Sequence, residues 1–142
     1  MKISVQPEDF DVGLEIQNLS RQSTSVGAVA SFVGLVRDVQ MTLEHYPGMT
    51  ERALEKIVAD AKGRWQVMDC TVIHRYGALQ PNDQIVMVAV ASAHRDDAFK
   101  ACEFIMDYLK TQAPFWKKEQ TADGAHWVEA KAADDQAAER WK

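Results

Sequence analysis

The chain has 142 residues, 46% of them apolar, with a formal net charge of −5. That length suits a single domain over 1–142, and that apolar fraction is enough to build a core, so disorder is not expected in the middle of the chain. The acidic balance excludes a general nucleic-acid binder, which carries a basic face, while leaving room for a local basic site that focuses potential on a small anion.

In chain order, Met1-Lys2-Ile3-Ser4-Val5 runs straight into Pro7, Glu8 and Asp9, with no apolar leader, and no later apolar run approaches membrane-spanning length. A cytoplasmic setting is expected. Asp11 to Arg21 reads as a short helix with Val12, Ile16 and Leu19 on one face. Val26 to Val36 and Met41 to Tyr46 read as strands. The join between them lacks the Gly, Pro or Asn that a hairpin normally demands, so either one long strand continues or a tight turn passes through Asp38. Thr50 reads as the N-cap of a helix carrying Leu54, Ile57, Val58, Ala61 and Trp65, with Glu51 in its first turn. Asp69 to Tyr76 and Gln84 to Ala93 read as an antiparallel pair around the turn Pro81-Asn82-Asp83. Ser92 to Gln112 has the strongest helical pattern, with Ala98, Cys102, Ile105, Met106 and Leu109 on one face, and Pro114 stops it. Phe115 to Glu119 and His126 to Ala130 form a hairpin around Asp123-Gly124, and the tail from Lys131 is either a docked helix or a frayed end. These elements predict an α+β fold: a mainly antiparallel sheet with packed helices and a small hairpin subdomain.

Cations gather at element ends. His94 and Arg95 open the long helix, where free N–H groups and the dipole favour an anion and the guanidinium forks around phosphate oxygens; alternatively Arg95 pairs with Asp96 or Asp97 and His94 merely caps. Lys110 lies on the last turn, where the dipole alone would favour it. Lys117 and Lys118 alternate on the following strand, so at most one enters a given pocket. Arg37 ends an apolar strand, as either a solvated edge residue or a site residue. His45 is either a general base or a packed structural group. His74 and His126 have no acidic or cysteine partner at metal-ligand spacing, so no metal is expected. Cys70 and Cys102 read as buried apolar fillers rather than a disulfide or a catalytic pair.

Leu43-Glu44-His45-Tyr46-Pro47-Gly48-Met49, Ser92-Ala93-His94-Arg95, Phe104 through Thr111 and Ala113-Pro114-Phe115-Trp116-Lys117 resemble the large, catalytic subunits of molybdopterin synthase, from about Gly27 to Arg140-Trp141. The resemblance implies an α/β-hammerhead fold and a homodimer within a heterotetramer, with a small sulfur-carrier subunit at each end. It implies a sulfurtransferase without a cofactor. Two sulfurs pass from the thiocarboxylated Gly-Gly terminus of the carrier to cyclic pyranopterin monophosphate, forming the dithiolene of molybdopterin. By position, Lys110 and Lys117 match the family's essential lysines, Arg37, His94 and Arg95 its substrate-binding residues, and Lys118 and Glu119 adjoining contacts.

The substrate's cyclic phosphate calls for arginines and a helix N-terminus, and thiocarboxylate attack calls for proton donors and charge stabilisation, which lysines supply. The family's pocket draws on both large subunits, so His94 and Arg95 are candidates for the neighbouring chain's site. Two departures stand out. The connection after Arg37 is shorter than the Gly- and Asn-containing one usual in the family, and Leu35 stands where relatives can carry Lys. The short connection motivates an alternative, a non-catalytic anion-binding scaffold that keeps the carrier interface; retention of all five cations favours the enzyme.

Overall fold

In the computed structural model, which describes residues 1–121, 124–128 and 132–142, the chain runs through β1 (Lys2–Gln6), α1 (Val12–Ser20), β2 (Ala28–Leu35), β3 (Met41–His45), α2 (Met49–Arg64), β4 (Asp69–Arg75), β5 (Gly77–Leu79), β6 (Gln84–Ser92), α3 (Arg95–Gln112), β7 (Phe115–Thr121), β8 (Gly124–Val128) and α4 (Ala132–Glu139). The strands form two four-stranded sheets, ordered β1-β4-β6-β2 and β5-β3-β7-β8. Every pairing is antiparallel except β1 with β4. The expected α+β architecture, antiparallel sheets with packed helices and a C-terminal hairpin, is the one observed. The short edge strands β1 and β5 were not expected, because neither carries a long enough pattern to declare itself.

The central strand β6 explains how the first sheet is covered. It is apolar almost throughout because both of its faces are buried. Val86, Val88 and Val90 point into the core shared with α2 and α3, and Met87, Ala89 and Ala91 point towards α1, where Leu19, Val12 and Ile16 receive them. In α2, Leu54, Ile57, Val58 and Ala61 form the buried stripe that the helical period requires. In α3 the stripe includes Ala98, Ala101, Cys102, Ile105 and Leu109. Both cysteines lie in this core as free thiols, and burial pushes each up to about 12. They are apolar fillers, not nucleophiles.

The join between β2 and β3 is a turn through Asp38, whose φ is 70°, and the two strands belong to different sheets. No hairpin closes here, so no hairpin residues are needed. Val36 is tied to the turn before β6: its N–H donates to Asp83 O at 2.9 Å and its carbonyl accepts from Asn82 N at 2.8 Å. Asp, one of the few residues that tolerate left-handed backbone, then redirects the chain. Val36, Met41, Leu43 and Leu79 make the small core at this seam.

Thr50 is not the N-cap of α2. Gly48 holds that position at φ 85°, and its N–H donates to Glu51 Oε2 at 3.0 Å. α3 begins at Arg95, after Ser92 has been used at the end of β6. The tail forms α4 against α3. Trp141 meets the rings of Trp65 and Phe104 edge-on at 5.4 and 5.7 Å. Its Nε1–H donates to Asp107 Oδ2 at 2.6 Å, and Arg140 pairs with Asp107 and Glu103. Asp123, Glu129, Ala130 and Lys131, part of the expected hairpin and tail, lie outside the described residues.

Candidate functional site

The site is built at the corner where α3 hands over to β7. Lys110 occupies the last turn of α3. Pro114, which has no N–H to continue a helix, turns the chain into β7. Thr50, fully buried, fastens this corner to the one between β3 and α2: its Oγ1 accepts the Tyr46 N–H at 3.0 Å and donates to Pro114 O at 2.9 Å.

Strand alternation then sorts the side chains of β7. Phe115, Lys117 and Glu119 lie opposite His45, Leu43 and Met41 of β3, and Leu43 and Met41 are buried. This is the inner face of the second sheet. Trp116 and Lys118 lie on the outer face, where Lys118 Nζ sits 5.1 Å from the centre of the exposed Trp127 ring. Lys117 and Glu119 therefore share a face, and Lys118 does not join them.

His74 connects this face to the first sheet. Its ring lies flat on Phe115, with centroids 3.7 Å apart and planes 18° apart. Its Nδ1 is 2.8 Å from Arg75 O, an acceptor, so a ring proton is held there. Burial pushes His74 down to about 4; the hydrogen bond to Arg75 opposes this, and the charges of Lys110 and His45 reinforce it. Lys110 is thus an electrostatic neighbour of a ring stacked on Phe115, two positions before Lys117 on the same face. Ammonium groups placed near such a ring pair can hold an anion, stabilise a developing oxyanion and donate protons.

The remaining predicted residues lie elsewhere on the chain. Arg95 is at the opposite end of α3 from Lys110, about 22 Å away along the helix axis. His94 and Arg95 are both exposed, and His94 makes no side-chain cap. Asp97 accepts instead from the Gln66 N–H at 2.9 Å, and among the described residues no ion pair joins Arg95 to Asp96 or Asp97. Arg37 is 81% exposed beside the turn, 3.8 Å from the Asp38 carboxylate. Among the described residues no group of three His, Cys, Asp or Glu side chains could hold a metal, and no helix is long and apolar enough to cross a membrane. Sequence reasoning missed His74, Phe115 and Thr50 as parts of this corner. Their only local signals were a polar residue in an apolar strand, an aromatic after Pro and a hydroxyl after Pro-Gly.

The family model for MoaE protein matches residues 5–112. The chain belongs to the MoaE family. Among its MoaE relatives, the molybdopterin synthase catalytic subunit of Ralstonia nicotianae is 60% identical, with 98% of this chain and 83% of that protein covered. The solved structure of a molybdopterin biosynthesis MoaE protein from Burkholderia ambifaria superposes with a TM-score of 0.87 at 57% identity, covering 99% of this chain and 98% of that one. Molybdopterin synthase from Staphylococcus aureus gives 0.81 at 31% identity, over 88% and 95%. The MoaE match runs from Val5, near the end of β1, through α3 to Gln112, so it includes Lys110, His94, Arg95 and Arg37 but not β7.

Proposed function

We propose that this chain is the catalytic subunit of a cytoplasmic molybdopterin synthase. It moves sulfur from the C-terminal thiocarboxylate of a small carrier protein to cyclic pyranopterin monophosphate, twice per product molecule. The observation that supports the reading is that Lys110 acts electrostatically on the His74 ring, which stacks on Phe115, two residues before Lys117 on the same face of β7, in a chain whose family relatives bear that name along almost their whole length. Lys110, at the helix end, stands nearest the sulfur-transfer centre as proton donor; Lys117 stabilises the charge that develops when thiocarboxylate attacks the ring. Glu119, on the same face, makes an adjoining contact, while Lys118, on the outer face beside Trp127, stands outside this seam. The core positions of Cys70 and Cys102 agree with sulfur arriving from the carrier.

His94, Arg95 and Arg37 are assigned to the substrate's phosphate, with His94 and Arg95 completing the site of a second copy. The distance along α3 supports that division, since a single chain separates its helix-start cations from its lysines. A second copy also has a seat. β2 is an edge of the first sheet and exposes Phe32 and Leu35, an apolar edge that soluble chains normally cover.

The test is dithiolene formation from cyclic pyranopterin monophosphate and thiocarboxylated carrier, with Lys110→Ala beside the natural chain. The expected outcome is near-total loss of product with folding intact, because a helix-end lysine adds little to stability. Unchanged turnover in Lys110→Ala would remove that residue from the reaction. Carrier binding without product in the natural chain would favour the scaffold reading and point to Arg37–Met41.

A further inference from the structure

Four rings cross the seam between the two sheets. His74, on β4, belongs to the first sheet, and Tyr76, the link between β4 and β5, donates its N–H to Gln6 O of that sheet; His45, on β3, and Phe115, on β7, belong to the second. His74 stacks on Phe115 at 3.7 Å, and His45 packs on Tyr76 at 4.2 Å with planes 32° apart. His45 and Phe115 are direct cross-strand partners, so the two stacked pairs lie side by side. We propose that these rings form a clasp that sets the position of Lys117 relative to Lys110, with His74 as its positioning residue. The inference rests on the reading of the two lysines as the reacting pair.

The two sides of the clasp differ in how firmly they are held. On the first sheet, Arg75 Nε donates to Pro7 O at 3.1 Å and Nη1 to Gln84 O at 3.0 Å, while the Tyr76 N–H donates to Gln6 O at 3.1 Å. The carbonyl that orients His74 therefore belongs to a residue tied on both sides. On the second sheet, β7 pairs with β3 and with the edge strand β8. The clasp is one link between the start of β7 and the first sheet, and Lys117 is two residues further along. A flat neutral imidazole suits this role. It packs like a phenyl ring against Phe115, and its Nδ1–H fixes its rotation about the side chain, which a phenyl ring would leave free. Small displacements of a reacting group are costly, up to about 100-fold in rate for a misplacement of about 1 Å.

Two variants and two readouts test this. Hydrogen exchange of the β7 amides reports position without reference to catalysis, and turnover with thiocarboxylated carrier reports its consequence. In His74→Ala, β7 amides are expected to exchange at least about tenfold faster while β6 is unaffected. kcat should fall at least about tenfold, with KM for the carrier within about twofold. His74→Phe restores the stack and is expected to recover β7 protection and kcat to within about threefold of the natural chain. Unchanged β7 exchange in His74→Ala overturns the clasp whatever the activity. Faster exchange with full turnover overturns the positioning role, and Lys117→Ala assayed alongside shows whether the lysine reading fails with it. A His74→Phe chain with protected β7 but no turnover also overturns the proposal, because the role would then belong to the imidazole nitrogens.

Discussion

At the scale of the residue, the fold makes His74 a pH-dependent element of stability. The imidazole is neutral because burial penalises its charged form, and the nearby cations add to that penalty. Between about 4 in the folded chain and the ordinary 6.5 of an unfolded one, the unfolded state binds a proton that the folded state does not. Stability from this group is therefore complete above 6.5 and declines as pH falls through that window, by an amount on the order of 3 kcal/mol. Urea unfolding at pH 7 and pH 5 should show a lower midpoint at the acid end, and His74→Phe should lose this component of the difference. An equal acid sensitivity in His74→Phe would mean that other groups carry it.

At the scale of the element, the corner between α3 and β7 depends on a hydroxyl from another element. Thr50 serves one donor and one acceptor at once. Thr50→Val keeps the shape and strands the Tyr46 N–H and the Pro114 carbonyl. A loss of about 2 kcal/mol is expected, read as a lower urea midpoint at unchanged slope. Turnover should fall as well, since Pro114 leads directly into the strand bearing Lys117. A Thr50→Val chain with the natural midpoint would show that water replaces the hydroxyl without loss.

At the scale of the whole molecule, two surfaces decide how the chain is completed. The tail closes over α2 and α3 through Trp141, whose ring meets Trp65 and Phe104 and whose N–H meets Asp107. Trp141→Ala should cost roughly 3 kcal/mol and lower Tm by several degrees; an unchanged Tm would mean that the tail is not docked in solution. The open edge at β2 is the proposed seat of a second copy. Phe32→Arg places a charge on it and should shift the sedimentation of the chain from dimer towards monomer. A dimer undisturbed by that substitution would place the contact elsewhere.

The parts legible in the sequence are those whose physics is local. The stripes of α2 and α3, the stop at Pro114, the turn at Asn82 and the apolar β6 follow from side-chain period and backbone preference within a few residues. The family is legible for a related reason, because its runs of residues are contiguous. The positions of Lys110 at the end of α3 and of Lys117 early in β7 were legible too, but the stacked His74–Phe115 pair near them was not. Only the tertiary structure decided that β2 and β3 part into different sheets, that Thr50 is a buried bridge and not a cap, that Lys117 faces inward and Lys118 outward, and that His74 lies on Phe115. Each of these depends on which distant strand supplies the partner, and the free energy of such contacts comes from burial and pairing between segments far apart in the chain, which no local pattern encodes.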